Sequence, residues 1–150
     1  MTNITLRPIT NKNFKAIIQL KVHEGESKFV APNVYSIAEA YVEHGAYPMA
    51  IYADEKPVGF TLYGQFEEDE GDYWVARLMV DKSHRRQGYG EIAMRIAIDE
   101  MGRNEDCEKI FVSFVPGNVD AQLLYEKLGF LDTGMIEEGE LVYVLKFETY

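Results

Sequence analysis

Cysteine is almost missing from this 150-residue chain: Cys107 stands alone, which leaves no intramolecular disulfide and no cysteine zinc site. His23, His44 and His84 lack the spacing of metal ligands, so no metal site is expected. The acidic run Glu67 to Asp72 has neither the alternating ligands nor the closing glutamate of a calcium loop. No stretch approaches the roughly 18 apolar residues of a membrane span. The opening residues Met1-Thr2-Asn3-Ile4-Thr5-Leu6-Arg7 have neither the basic nor the apolar region of a signal peptide. The simplest location is therefore the cytoplasm. Basic residues are in deficit, with 15 Lys and Arg against 25 Asp and Glu for a formal charge of −10. That balance argues against binding a nucleic-acid backbone, and its field favours a cationic substrate or partner. No Gly-Lys-Ser/Thr phosphate loop is present, and Ala93 stands where a dinucleotide fingerprint would place its third glycine.

What remains, at 47% apolar and 27% charged residues, has the balance of an ordinary globular protein, and the length predicts one domain over 1–150. Ile4 to Ile9 alternates like a strand, with Pro8 restricting it to an edge. Thr10 or Asn11 can cap a helix carrying Phe14, Ile17, Ile18 and Val22, and Asn33 a second one through Tyr35, Ala38, Tyr41 and Val42. Tyr47–Ala53 and Val58–Phe66 form an antiparallel pair, and Tyr73–Val80, nearly all apolar, a central strand. The helix after Gly90 sets Glu91, Arg95 and Asp99 against an apolar face of Ile92, Ala93, Ile96 and Ala97. A strand over Lys109–Val115, a helix capped by Asn118 and ended by Gly129, and two strands joined at Glu137-Glu138-Gly139-Glu140 complete the chain. The order β-α-α-β-β-β-α-β-α-β-β is a mixed α/β layer domain.

The chain turns on Arg85-Arg86-Gln87-Gly88-Tyr89-Gly90, which follows the central strand and opens a helix. Glycines let the backbone approach a ligand closely. The first amides of a helix lack intrahelical partners and lie at the positive end of its dipole. Such a start suits a pyrophosphate, and two arginines add charge and planar donors. A plain turn would also explain a lone Gly-x-Gly.

Arg85-x-x-Gly88-x-Gly90 after the fourth strand, together with Asn118 and Leu124-Tyr125-Glu126-Lys127-Leu128-Gly129-Phe130 near the end, resembles the GNAT acyltransferases over essentially the whole chain. Ala31-Pro32-Asn33-Val34-Tyr35, Tyr73-Trp74 and Ser113-Phe114-Val115-Pro116-Gly117-Asn118 are similar to the bacterial spermine/spermidine N-acetyltransferase branch. The resemblance implies a sheet splayed between its fourth and fifth strands, with acetyl-CoA in the opening. Backbone groups of Leu78, Met79 and Val80 would pair with the pantetheine arm. Amides from Arg85, Arg86, Gln87, Gly88, Tyr89 and Gly90 would hold the pyrophosphate, Asn118 would bond to the pantetheine, and Tyr125 would lie near the thioester sulfur. It also implies a homodimer.

The chemistry implied is acetyl transfer from acetyl-CoA to a primary amine of a polyamine, by direct attack in a ternary complex. Tyr125 is the candidate acid for the departing thiolate; by spacing alone it is a core aromatic on the stripe of Ala121, Leu124 and Leu128. Cys107 reads as a small apolar residue before a strand rather than an acetyl carrier. Some relatives carry a carboxylate near the positions of Ala76 and Arg77, which leaves Glu24, Glu26, Glu67 or Glu68, directly or through a water chain, as candidate bases, or no dedicated base at all. A polyamine wants carboxylates interleaved with aromatic faces: Glu24, Glu26, Glu67, Tyr35, Tyr63 and Trp74 are the candidates for holding it. Of the three acidic groups Glu24/Glu26, Glu67 to Asp72 and Glu137/Glu138/Glu140, the resemblance implies that the first and last border the acceptor site. The alternatives are another amine acceptor (an aminoglycoside, an amino acid or a protein N-terminus) and a domain that binds acyl-CoA without turnover.

Overall fold

The computed structural model describes residues 1–22 and 31–147. Its elements are β1 (Ile4–Pro8), α1 (Phe14–Gln19), α2 (Asn33–Val42), β2 (Ala46–Ala53), β3 (Lys56–Phe66), β4 (Asp72–Val80), α3 (Tyr89–Gly102), β5 (Lys109–Phe114), α4 (Val119–Lys127), β6 (Leu131–Glu137) and β7 (Glu140–Lys146). The order of helices and strands is the one expected from the sequence. The strands make one 7-stranded sheet in the order β1-β2-β3-β4-β5-β7-β6. Pro8 lies on β1, the sheet edge, where a residue that cannot donate to the ladder is tolerated.

The sheet is antiparallel except where β4 meets β5, and that one parallel pairing is short. It joins Tyr73, Val75 and the intervening Trp74 to Ile110, Val112 and Phe111. Beyond Val75 the two strands part, leaving one edge of Ala76–Val80 unpaired, while on its other edge β4 stays in register with β3 as far as Gly59 and Val80. Gly59 allows that close approach: a Cβ there would lie 2.4 Å from the Met79 carbonyl oxygen.

Helices cover both faces. On one, Ile17 of α1 joins Phe60, Leu62, Phe66 and Met79, with Ile37 and Ala40 of α2 packed against them. On the other, Met94, Ala97 and Met101 of α3 share a core with Val75, Ile110, Val112, Phe114, Tyr125 and Phe130. The apolar face of α3 is rotated from the one expected. Ala93, Met94, Ala97 and Met101 are its buried residues, whereas Ile92 is 43% exposed. Met94 and Met101 bring flexible, unbranched side chains to this core.

Candidate active site

The parting of β4 and β5 creates two cavities that meet. The first, about 570 Å³, runs from the last residues of β4 along the turn Arg85–Gly90 to α4. The second, about 350 Å³, lies between Ala76–Leu78 of β4 and Ser113–Val115 at the end of β5. Leu78, Asn118, Ala121 and Tyr125 line both. The two cavities therefore adjoin at these four residues.

The turn is shaped by its backbone. Gly88 is the N-cap of α3 at φ 78°, and Arg86 is also left-handed at φ 62°. A non-glycine residue held there is strained, and left-handed residues within a turn are a feature of the backbone nests that bind anions. Nothing lies within 4 Å of a Cβ built on Gly88, so the glycine serves backbone conformation rather than space. Ahead of it, Asp81 organises the short 3-10 turn Lys82–His84. It accepts hydrogen bonds from the Lys21 amide at 2.9 Å and from the amide and hydroxyl of Ser83. Burial pushes the Asp81 carboxyl up, but the Ser83 and Lys21 hydrogen bonds and His84 outweigh it and hold the group below the usual carboxylate range. Its stabilising contribution is thus present above the unfolded value and disappears as pH falls through the lowered folded one. Replacing Asp81 by Ala is expected to cost about 1–2 kcal/mol by analogy with cap removal. Because the anion turn loses its anchor, CoA should bind roughly tenfold more weakly, a change worth about 1.4 kcal/mol. Thermal unfolding and calorimetric titration with CoA check the two effects separately.

Charge around the turn is arranged in pairs. Arg85 lies 3.5 Å from Asp120 of α4. Glu91, in the first turn of α3, accepts from Lys127 at 2.7 Å and Arg95 at 3.2 Å, and these bonds lower its carboxyl. The Lys127 bond links α3 to α4 across the rim of the first cavity.

Asn118 caps α4, its Oδ1 accepting from the Ala121 amide at 3.3 Å. The cap fixes that side chain at the junction of the two cavities. Tyr125 sits between the rings of Phe114 and Phe130, each at 5.7 Å. It is 8% exposed. Burial, with Glu140 adding to it, pushes the phenol up to about 12, so the hydroxyl keeps its proton throughout the neutral range. The apolar-stripe reading and the cavity-lining reading of Tyr125 both describe where it is.

The second cavity gathers Glu140, from the last of the three acidic groups, with Ser113 and Arg77, which spacing does not single out. Glu140, the first residue of β7, accepts from Ser113 Oγ at 3.3 Å. Arg77 of β4 donates to the Ala76 carbonyl at 2.6 Å and lies 3.7 Å from Glu39 of α2. These side chains come from four elements, and only the folded register brings them together.

The aromatic and acidic candidates are dispersed. Tyr63 is buried on the α3 face and stacks on Tyr47 at 6.0 Å, in a separate hollow with Tyr73 and Glu100. Trp74 packs on Phe111 at 5.1 Å against the core of the opposite face. Tyr35 is 58% exposed on α2. Glu67 and Glu68 form a 3-10 turn before β4, at the end of that strand away from the anion turn, and the Glu67 amide is held by Glu43. Glu24 and Glu26 lie outside the described residues. Cys107 is buried in the α3-face core, and burial with Asp106 raises its thiol, the opposite of what a nucleophile needs. Among the described residues, His, Cys, Asp and Glu form no cluster able to hold a metal, and no helix is long and apolar enough to cross a membrane.

Comparison with known proteins agrees with this architecture. Residues 14–130 match the Acetyltransferase (GNAT) family, and the chain belongs to it. It is 28% identical over 148 residues to the spermine/spermidine N(1)-acetyltransferase of Bacillus subtilis, covering 95% of this chain and 97% of that one. Its fold matches a Bacillus subtilis acetyltransferase in complex with CoA at a TM-score of 0.68 and 14% identity, over 99% and 100% of the two chains. A spermidine N-acetyltransferase from Vibrio cholerae, in complex with CoA and spermine, matches at 0.71 and 14% over 94% and 92%. The protein is an N-acetyltransferase, with acetyl-CoA as the acetyl donor.

Proposed function

We propose that this enzyme transfers acetyl to a primary amine of a polyamine, spermine or spermidine, by direct attack within a ternary complex. The observation that carries the reading is the junction of the two cavities at Leu78, Asn118, Ala121 and Tyr125. Donor and acceptor can meet there without an acetyl group passing through the protein. The similarity to a spermine/spermidine N(1)-acetyltransferase and the formal charge of −10 support a polycationic acceptor.

The residues present fit acetyl-CoA. The left-handed turn at Arg86 and Gly88 presents amides to the pyrophosphate, with Arg85, Gln87, Tyr89 and Gly90 beside it. The free edge of Leu78, Met79 and Val80 accepts the pantetheine arm as an added strand. Asn118 bonds to that arm where the cavities meet. An amide of Met79 or Val80 steadies the oxygen on which negative charge develops. Tyr125 gives its proton to the departing thiolate, and its buried phenol is still protonated when that step comes.

A second reading is favoured by one observation. Arg77 lines the acceptor cavity, and an arginine there suits an amine that also bears a carboxylate, such as an amino acid. Release of CoA thiol with spermine, spermidine, putrescine, an aminoglycoside, an amino acid and a peptide separates the two. Polyamine turnover at least tenfold above the other acceptors is expected. Turnover confined to the amino acid would move the acceptor assignment to the second reading.

A further inference from the structure

Among the described residues lining the acceptor cavity, Glu140 is the only acid. Two features hold it there. A tight hairpin turn with left-handed Glu138 at φ 50° and Gly139 at φ 82° delivers it to the start of β7, and Ser113 of β5 donates to its Oε1 at 3.3 Å. A carboxylate accepts on both oxygens, so a bound ammonium can be held alongside the serine. The other charged or titratable side chains on this cavity are Tyr125 of α4 and Arg77 of β4, the latter facing Glu39 of α2. Glu140 is close enough to Tyr125 for its charge to act on the phenol.

We propose that Glu140 is the catalytic residue that binds the acceptor ammonium and takes its proton, with Ser113 as the positioning residue that orients the carboxylate. The assignment rests on the amine-acetylation reading above. One proton passes from R–NH3⁺ to Glu140, leaving a lone pair on nitrogen. That lone pair forms the C–N bond to the thioester carbon, and the carbonyl electron pair moves to oxygen. As the carbonyl reforms, the C–S bond breaks with its electrons on sulfur, which takes the Tyr125 proton. The phenolate then removes the surplus proton from nitrogen, and Glu140 releases its own to water. The sum is R–NH3⁺ plus acetyl-CoA giving the acetamide, CoA thiol and one proton.

Glu140→Gln keeps the shape and removes the basicity. Its kcat/KM for spermine should fall about a hundredfold near pH 7, within the range of general-base loss. The deficit should narrow with rising pH as free amine replaces ammonium. Binding of spermine to the CoA-saturated protein, read by calorimetry, should weaken at least tenfold while CoA affinity stays unchanged. Glu138→Gln, exposed in the same turn, should match the wild type. A Glu140→Gln variant within threefold of wild type in both rate and spermine affinity would overturn the assignment. If that variant does not fold, Glu140→Asp decides: withdrawing the carboxylate by one methylene should cost about tenfold in kcat/KM, and an unchanged value overturns the proposal. A wild type active on an amine but indifferent to Glu140 sinks only this inference. A wild type that acetylates no amine sinks the acceptor reading and this one together.

Discussion

Replacing Tyr125 by phenylalanine is expected to lower kcat a hundredfold to a thousandfold, within the range of a lost general acid, while CoA affinity changes less than twofold. The ring does the packing between Phe114 and Phe130, and phenylalanine keeps it. The hydroxyl is the only group removed. Burial and the nearby Glu140 push the phenol up to about 12, against an ordinary value of about 10. A raised folded value means the native state holds this proton more tightly than the unfolded chain. The associated stability is fully present below pH of about 10 and is lost as pH rises toward about 12. For turnover the consequence is a missing limb: the wild-type rate should not decline on the alkaline side before pH of about 10.5, where an exposed tyrosine acid would already have ionised. Single-turnover kinetics over that range, with calorimetric CoA titration, check both parts. A Tyr125→Phe variant within threefold of wild type would remove Tyr125 from the chemistry.

The parts of this protein that are legible in its sequence are those whose chemistry is local. The anion turn can be read because Gly88 must be left-handed and the helix must begin next to it. The α4 cap can be read because Asn118 and the amide it captures are three residues apart. The Glu138-Gly139 hairpin follows from the need for two positive φ angles in succession. Where a side chain has a distant alternative, local reading fails. Spacing predicts Asn33 as the cap of α2, but it is the first helical residue, buried, with its amide donating to the Ile17 carbonyl of α1 at 2.9 Å. Spacing likewise predicts Thr10 or Asn11 as the cap of α1, whereas the helix begins at Phe14 after Asn13, whose Oδ1 accepts from the Thr10 amide at 2.8 Å. The second cavity is the extreme case. Arg77, Ser113 and Glu140 come from three strands, and no spacing rule connects them. Their convergence depends on where β4 and β5 part. Tyr63 and Trp74, read as one aromatic group, end on opposite faces of the sheet; Tyr63 alternates with Leu62 along β3, and the register shift leaves the extra residue, Ala76, on β4.

Phe130→Ala is expected to cost about 3–5 kcal/mol of stability, the usual range for deleting a buried aromatic ring, and to slow turnover as well. The reason lies in how α4 ends. Gly129, at φ 99°, lets the chain double back. The Gly129 amide then bonds to the Glu126 carbonyl at 3.1 Å and the Phe130 amide to the Tyr125 carbonyl at 3.0 Å. That pair of bonds is the Schellman ending, whose usual companion is an apolar contact between the residues at its two ends. Here the contact is Phe130 on Tyr125, ring centroids 5.7 Å apart at 57°. Phe130 is 1% exposed, so its removal leaves a cavity that the surrounding strands cannot readily fill. The backbone bonds survive in alanine, but Tyr125 loses one of its two ring neighbours and with it a defined hydroxyl position. Placement of the proton donor within a fraction of an ångström governs transfer, and kcat should therefore drop about tenfold with little change in KM for acetyl-CoA. Phe130→Leu, which refills most of the volume, should cost less than about 1.5 kcal/mol and recover most of the rate. Chemical denaturation and steady-state kinetics on the two variants test the linkage. A Phe130→Leu variant that regains stability without regaining kcat would show that Tyr125 does not depend on this contact for its position.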